Sequence, residues 1–218
     1  MTARLSPSVD DVLLRHAMTG LDDAFSLLVE THLELCPAAR VVHARFEALG
    51  GLLLEAVEPA NVEPAALNRA LAALDAEPRP VEPPAKAVTT RPDMRKGVKL
   101  PSTLSRQEIG PWRWIAPGVR SARIALPSAS RAFLLEIGPG VRVPEHGHDG
   151  AELTCVLHGG FSSADAHYGV GDMACADASV VHDIAIDPDV PCLSLIAMEG
   201  RTRPSSMFGR LYQKFRDI

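Results

Sequence analysis

Apolar residues in the first 76 positions recur at the three- and four-residue spacing of amphipathic helices. The clearest stripe falls at i, i+3, i+4, i+7 and i+11, and it consists of Phe25, Leu28, Val29, His32 and Cys36. Pro37 follows at once, so we expect this helix to end or kink there. A shorter helix is predicted over residues 10–18, with Val12, Leu13 and His16 on its inner side.

Two further stripes complete the helical pattern. They consist of Val42, Phe46, Leu49 and Leu53, and of Leu67, Ala70, Leu71 and Leu74. Pro64 stands near the start of the second one, where proline is tolerated. The pattern therefore predicts a small bundle of four helices over residues 1–76, of marginal size for independent stability.

The pattern changes after residue 76. Prolines at positions 78, 80, 83, 84 and 92 lie among charged residues, which is typical of a partly extended linker, placed here at residues 77–104. Short apolar runs then alternate with Gly, Pro, Ser and Asp turns, and the runs are 122–126, 132–137, 153–157 and 192–198. This spacing predicts an all-β sandwich or barrel over residues 105–218. The last stretch, residues 205–217, returns to a helical pattern.

Charge and cysteine usage narrow the classes of function. Residues 1–77 hold 12 acidic and 5 basic residues, a net charge of −7, which argues against nucleic acid and suits docking to a basic protein. The four cysteines form no CxxC pair, as expected in a reducing compartment. With no leader-like or membrane-spanning apolar run, the sequence predicts a cytoplasmic protein.

The strongest chemical signal lies between Gly140 and Gly159. His146 and His148 are two residues apart, so on a strand both rings face the same way. Glu152 keeps that even spacing, unless a turn at Asp149-Gly150 intervenes. Two imidazoles and a carboxylate on one wall of a barrel make a partial site for a divalent ion. His182, in a later strand-like run, is the expected fourth ligand. Cys155 is oddly spaced from Glu152 and is expected to face away, while His158 and His167 are interpreted as surface or turn residues.

This segment resembles the first cupin motif, G-x5-H-x-H-x3-E-x6-G, with every listed residue and gap present. The second motif is matched at Gly171 and His182, whereas Asp177, Ser179 and Ile186 replace its proline, glycine and asparagine. The resemblance implies a jelly-roll barrel with one metal ion on His146, His148, Glu152 and His182. Ligand chemistry allows zinc, manganese, iron or nickel.

The helical half carries a second resemblance. The segment from Asp23 to Pro37, followed by a helix and a proline-rich linker into a cupin, resembles the ChrR-type anti-sigma factors of the zinc-binding anti-sigma group, which points to zinc. The resemblance implies a helical domain that binds an extracytoplasmic-function sigma factor. It also implies a cupin domain that takes part in release upon singlet oxygen or organic peroxide. The chain would then be a regulator and not a catalyst.

One departure concerns the family's N-terminal zinc site, an upstream His with H-x3-C-x2-C. His32 and Cys36 are present, but position 39 is alanine and the upstream histidine is absent. Two ligands rarely hold structural zinc, so we expect the zinc to be lost, although His16 or His43 would be candidates to complete a site.

Two other hypotheses remain at this stage: a cupin metalloenzyme of the dioxygenase kind, and a small-molecule-binding cupin that controls an unknown partner. Fold alone does not separate them. Oxidation of Cys175 or Cys192 on the late strands is a further way in which a regulator of this kind would respond.

Overall fold

The computed structural model describes residues 8–75, 92–95, 97–164 and 166–204. The predicted C-terminal helix and most of the predicted linker lie outside these residues. The described elements are α1 Val9–Met18, α2 Asp23–Leu35, α3 Pro37–Glu55, α4 Ala66–Asp75, α5 Ser102–Ser105, β1 Arg113–Ala116, β2 Val119–Ile124, β3 Arg131–Ile137, β4 Arg142–His148, β5 Glu152–His158, β6 Phe161–Ser163, β7 Ala166–Tyr168, β8 Met173–Ala176, β9 Val181–Ile186, β10 Cys192–Met198 and β11 Thr202–Pro204.

Local signals set the ends of the first three helices. Ser8 and Asp11 form a capping box before α1, and the Asp22 carboxylate accepts a hydrogen bond from the Phe25 amide at 3.1 Å at the start of α2. The α2 helix ends at Leu35, and Pro37 opens α3 at a position where its missing N–H is harmless. The predicted break at Pro37 is therefore confirmed.

Two antiparallel sheets make up the C-terminal part. One has six strands in the order β1-β2-β3-β10-β5-β8, and the other has five in the order β11-β4-β9-β6-β7. The four apolar runs found in the sequence correspond to β2, β3, β5 and β10. The chain thus combines an N-terminal helical part with an all-β part, as the hydrophobic pattern predicts.

The six-stranded sheet is covered on both faces. Residues of β10 alternate: Leu193 and Leu195 pack with the helices, whereas Cys192 and Ile196 face the space between the two sheets. Every residue of β10 is consequently buried. Cys155 on β5 packs on the helix side, the side away from Glu152, as its odd spacing predicts.

The helices differ in how they are covered. The α2 helix contributes seven buried residues and packs on β5 and β10, while α1 packs against α3. Only Ala39 is buried in α3, and no residue of α4 is buried. Among the described residues, no helix is long and apolar enough to cross a bilayer.

Candidate metal centre

Three histidines converge on the inner face of the five-stranded sheet. His146 and His182 stand directly opposite each other in the antiparallel pair β4–β9, and His148 follows His146 by two residues on the same face. The ring centroids lie 4.6 Å apart for His146 and His182, 5.1 Å for His146 and His148, and 5.2 Å for His148 and His182. One ring nitrogen from each lies within 4.8 Å of the others.

Glu152 reaches this cluster from the other sheet. The segment 149–151 leaves β4, and Glu152 begins β5 in the six-stranded sheet. The expectation that Glu152 shares one wall with His146 and His148 was therefore wrong, because the turn at Asp149 and Gly150 carries the chain across. The Glu152 Oε2 atom lies 3.3 Å from His148 Nδ1, the nitrogen that points away from His182.

The chain around the cluster is shaped by glycines at both ends of the motif. Gly140 before β4 and Gly159 after β5 both have φ of +67°, in the left-handed region that other residues adopt at a cost. A Cβ atom on Gly159 would also lie 2.3 Å from the Pro191 carbonyl oxygen. These glycines set the turns at the outer ends of β4 and β5, whereas the link that brings Glu152 near the histidines runs through residues 149–151.

The hydrogen bonds of the rings leave nitrogen lone pairs for a ligand. The Nδ1–H of His146 donates to the Pro144 carbonyl at 3.0 Å, so its Nε2 is unprotonated in the neutral ring. The Nε2 atoms of His148 and His182 face each other at 3.1 Å. A tetrahedral ion with bonds of about 2.0–2.1 Å separates two ligand nitrogens by roughly 3.3 Å, so these atoms fit a shared ion. The His148 Nδ1 atom, on the other side of the ring, contacts Glu152 Oε2 without forming a hydrogen bond.

Burial keeps the imidazoles neutral, which metal binding requires. Desolvation, together with the neighbouring histidines and Arg203, lowers the pKa of His148 to about 4. Desolvation and His146 lower the pKa of His182 to about 4, and desolvation also lowers that of His146. Burial raises the pKa of Glu152 to about 7, against a smaller opposite effect of Arg131. Three neutral ring nitrogens thus converge, and the neighbouring Glu152 carboxyl group, which is not part of that set of three, would ionise more readily beside a cation.

The sequence patterns did not identify two arginines that lie near the cluster. Arg203 on β11 donates to the carbonyls of His148 and Ala178 and pairs with Asp149 at 3.1 Å, which fixes the end of β4. Arg131 opens β3 and lines the space between the sheets. Its position next to the apolar run 132–137 is the sequence feature that could have identified Arg131.

The histidines of the helical part form separate arrangements. His32 is buried, its Nδ1–H donates to the Gly171 carbonyl at 2.7 Å, and its Nε2 has no partner among the described residues. His32 and Cys36 line one cavity, whereas His16 and His43 bond to each other at 2.9 Å and lie outside that lining. Neither histidine completes a site with His32 and Cys36 in this structure. The loss of the N-terminal zinc stays a prediction.

The remaining histidines and cysteines are simpler. His167 is exposed and pairs with Asp187 at 3.1 Å, and His158 is half-buried at the end of β5. Burial raises the pKa of the Cys175 thiol to about 12 and that of Cys192 to about 11, so both thiols are protonated and weakly nucleophilic at neutral pH.

These features define a two-part protein: a β domain of two sheets enclosing a histidine cluster, and a helical part with an uncovered apolar surface. No protein-family model matches the chain. It is 35% identical over 207 residues to the anti-sigma-E factor ChrR of Cereibacter sphaeroides, which spans 94% of this chain and 95% of that protein. The chain therefore belongs to the ChrR family of anti-sigma factors.

One solved structure agrees with this relationship, and a second match is weak. The crystal structure of Rhodobacter sphaeroides SigE in complex with the anti-sigma ChrR matches with a TM-score of 0.68 and 33% identity, covering 91% of this chain and all of that one. An RmlC-like cupin protein from Ralstonia eutropha matches with a TM-score of 0.39 and 17% identity over 45% of this chain and 66% of that one.

Proposed function

We propose that this protein is an anti-sigma factor whose helical part binds an extracytoplasmic-function sigma factor. The observation that carries the proposal is the uncovered apolar surface of α3 and α4, in a chain that belongs to the ChrR family. Its relative is seen in complex with SigE. The helices would together form the sigma-binding unit, and the protein would act as a cytoplasmic regulator and not as a catalyst.

Large apolar side chains are exposed on both α3 and α4. On α3, Leu52 is 65% and Leu54 73% exposed; on α4, Leu67 is 67% and Leu74 81% exposed. Leu67, Leu71 and Leu74 share one face of α4 because they are spaced by four and three residues. Clusters of exposed apolar side chains are typical of protein interfaces. The acidic character of residues 1–77 favours a basic partner surface at the rim.

The β domain is proposed to be a cupin barrel that holds one divalent ion, with zinc as the first candidate. Its ligands would be His146, His148, His182 and Glu152. The ring nitrogens that face each other and the lowered pKa values of the three histidines support this assignment. Such an ion supplies a Lewis-acid centre that binds oxygen donors. Because the donors come from both sheets, their joint coordination would hold the sheets together.

The proposed signal is oxidative, namely singlet oxygen or an organic peroxide. A change at the cluster would reach the helices through β5 and β10, whose reverse faces pack on α2. The cupin-enzyme alternative predicts turnover with bound Fe(II), which the regulatory role does not require.

The sigma-binding proposal is tested by capture with the tagged full-length chain. The double variant Leu53→Asp with Leu71→Asp places two charges on the apolar surface, and the matched control Ala44→Asp with Ala72→Asp places two charges on other exposed faces of the same helices. We expect the first variant to capture at least tenfold less of an extracytoplasmic-function sigma factor than wild type, and the control less than threefold less. Equal capture by both variants would contradict the proposal.

The metal proposal is tested by elemental analysis of the same samples. Wild type should carry one ion per chain, and His146→Ala should lose most of it. Glu152→Gln tests whether Glu152 is the fourth ligand or only contacts His148. Loss of the ion in this variant supports coordination by Glu152. Full occupancy in His146→Ala would rule out the histidine set.

A further inference from the structure

A cavity of about 390 Å³ lies between the two sheets, within the size range of small-molecule sites. His146 and Glu152 form part of its wall, whereas His148 and His182 are not among its lining residues. Most of the remaining wall is hydrocarbon. Two residues of the candidate metal centre therefore border a partly open, mainly apolar space.

The strand register orders this wall into rows. Arg131, Met198 and Glu152 pair across β3, β10 and β5 and form the row next to the histidines. Phe133, Ile196 and Thr154 form the next row, Leu135 and Ser194 the third, and Ile137 and Cys192 the last. Six residues of strand separate the first row from the last, which is roughly 20 Å. On these three strands the charged side chains stand in the first row, and Thr154 and Ser194 are the polar residues in the rows beyond it; Arg142 and Glu145 line the cavity from β4.

The first row contains the Arg131 guanidinium, which has N–H groups left to bind a ligand. The Arg131 Nη2 atom donates to the Gly200 carbonyl at 2.5 Å and lies 3.4 Å from Met198 Sδ. No carboxylate of the described residues lies within ion-pair distance of its guanidinium, which has five N–H groups and binds carboxylates through two of them. Glu152, in the same row, acts on Arg131 from beyond ion-pair distance. A divalent ion on the histidines would outweigh this single negative charge, and this end of the cavity would then favour an anion.

We propose that the cavity binds a medium-chain fatty acid, with the carboxylate at Arg131 and the metal centre and the hydrocarbon chain along Phe133, Leu135 and Ile196. The elongated apolar wall selects the chain, and the half-buried guanidinium selects the acid over an alcohol or an amine. The role of this lipid as a regulatory ligand rests on the proposed function, whereas its binding to the cavity does not.

The location of the cavity allows such a ligand to affect the packing of the helices. Residues of β10 and β5 that face the cavity alternate with residues that contact the helical part, among them Leu195 and Cys155. A chain that fills the space beside Ile196 presses on the same strands from the opposite side. Close packing transmits such pressure across a single sheet layer.

The test is calorimetric titration of the zinc-loaded full-length chain with decanoate, decanol and decyltrimethylammonium. We expect decanoate to bind at least tenfold more tightly than the other two. Arg131→Gln should weaken decanoate at least tenfold and change decanol less than twofold. Arg142→Gln is the matched control, because Arg142 also lines the cavity but is exposed on β4. It should change decanoate less than threefold.

A second variant tests the position of the chain. Ser194→Phe blocks the third row and should abolish decanoate binding while butyrate binding survives, which also shows that the variant is folded. Any of three results would overturn the proposal. Wild type would fail to bind decanoate, or it would bind decanol equally well, or Arg142→Gln would lose as much decanoate affinity as Arg131→Gln. Sigma capture is measured on the same sample: lost capture with intact decanoate binding contradicts only the anti-sigma function, and the reverse result contradicts only the lipid.

Discussion

Helices α2 and α4 have similar amphipathic sequences but opposite surroundings. Leu28 and Val29 of α2 are fully buried against the six-stranded sheet, whereas Leu67 and Leu74 of α4 are 67% and 81% exposed. The difference lies in what is available to cover each face. For α2 the cover is the outer side of β5 and β10, within the same chain. The apolar face of α4 is uncovered in this structure, and we assign it to a partner.

The largest expected effect concerns the buried helix. Leu28→Ala should lower the free energy of unfolding by about 2–5 kcal/mol, because it leaves a cavity where the helix meets the sheet. Leu52→Ala on α3, where the side chain is 65% exposed, should change it by less than about 0.5 kcal/mol. Urea denaturation of both variants measures the contrast. A large loss in Leu52→Ala would mean that the α3 surface is covered within the chain.

The next effect concerns the clamp between α2 and α5. The Glu34 carboxylate accepts hydrogen bonds from the Ser102 and Thr103 amides at 2.7 and 3.0 Å and from the Ser102 hydroxyl at 3.0 Å. Glu34→Gln should cost about 0.5–2 kcal/mol, as the loss of a helix cap does. Glu30→Gln, at an exposed position on the same helix, is the control.

The clamp also predicts a dependence on pH. Partial burial raises the pKa of Glu34, but its hydrogen bonds to Ser102 and Thr103 outweigh this and lower the pKa below its usual value of 4.5. The stabilisation is therefore present above pH 4.5 and is lost as pH falls through the lower folded-state pKa. The stability difference between wild type and Glu34→Gln should shrink below that point. An unchanged difference at pH 3 would show that the carboxylate charge is unimportant.

The smallest effect concerns α1 and α3, which His16 and His43 join. Burial, followed by the proximity of His43, lowers the pKa of His16 below 6.5. The unfolded chain then takes up a proton first as pH falls through 6.5, so the folded state loses stability below that pH. We expect a loss under about 1 kcal/mol, since both rings keep some solvent contact. Amide hydrogen exchange in α1 at pH 7.5 and 5.5 measures it, and His16→Gln should remove the difference.

Much of this architecture follows from residue patterns alone. The spacing of apolar residues predicts α1 to α3 and the strands β2, β3, β5 and β10, because short-range periodicity depends only on backbone geometry. The convergence of His146, His148 and His182 was predicted from a motif. Their bond to an ion is still a prediction, as are the domain boundaries at residues 76 and 104.

Other features depend on contacts that no local pattern encodes. The turn at Asp149 and Gly150 moves Glu152 to the opposite sheet, and the even spacing from His148 conceals this crossing. The role of Arg131 depends on the register of three strands that are distant in sequence. Likewise, the stripes on α2 and α4 predict two apolar faces without indicating which of them the sheet covers.

Cys36 is at once the last cap of α2 and the first cap of α3, and no further residue separates the two helices. Because Pro37 fixes the φ angle in the first turn of α3, the junction between α2 and α3 has little rotational freedom. The nineteen-residue α3 is therefore joined without a linker to the helix that lies on the β sheet. A reorientation of α2 on that sheet would be passed directly to α3 and to the α1 helix that packs against it.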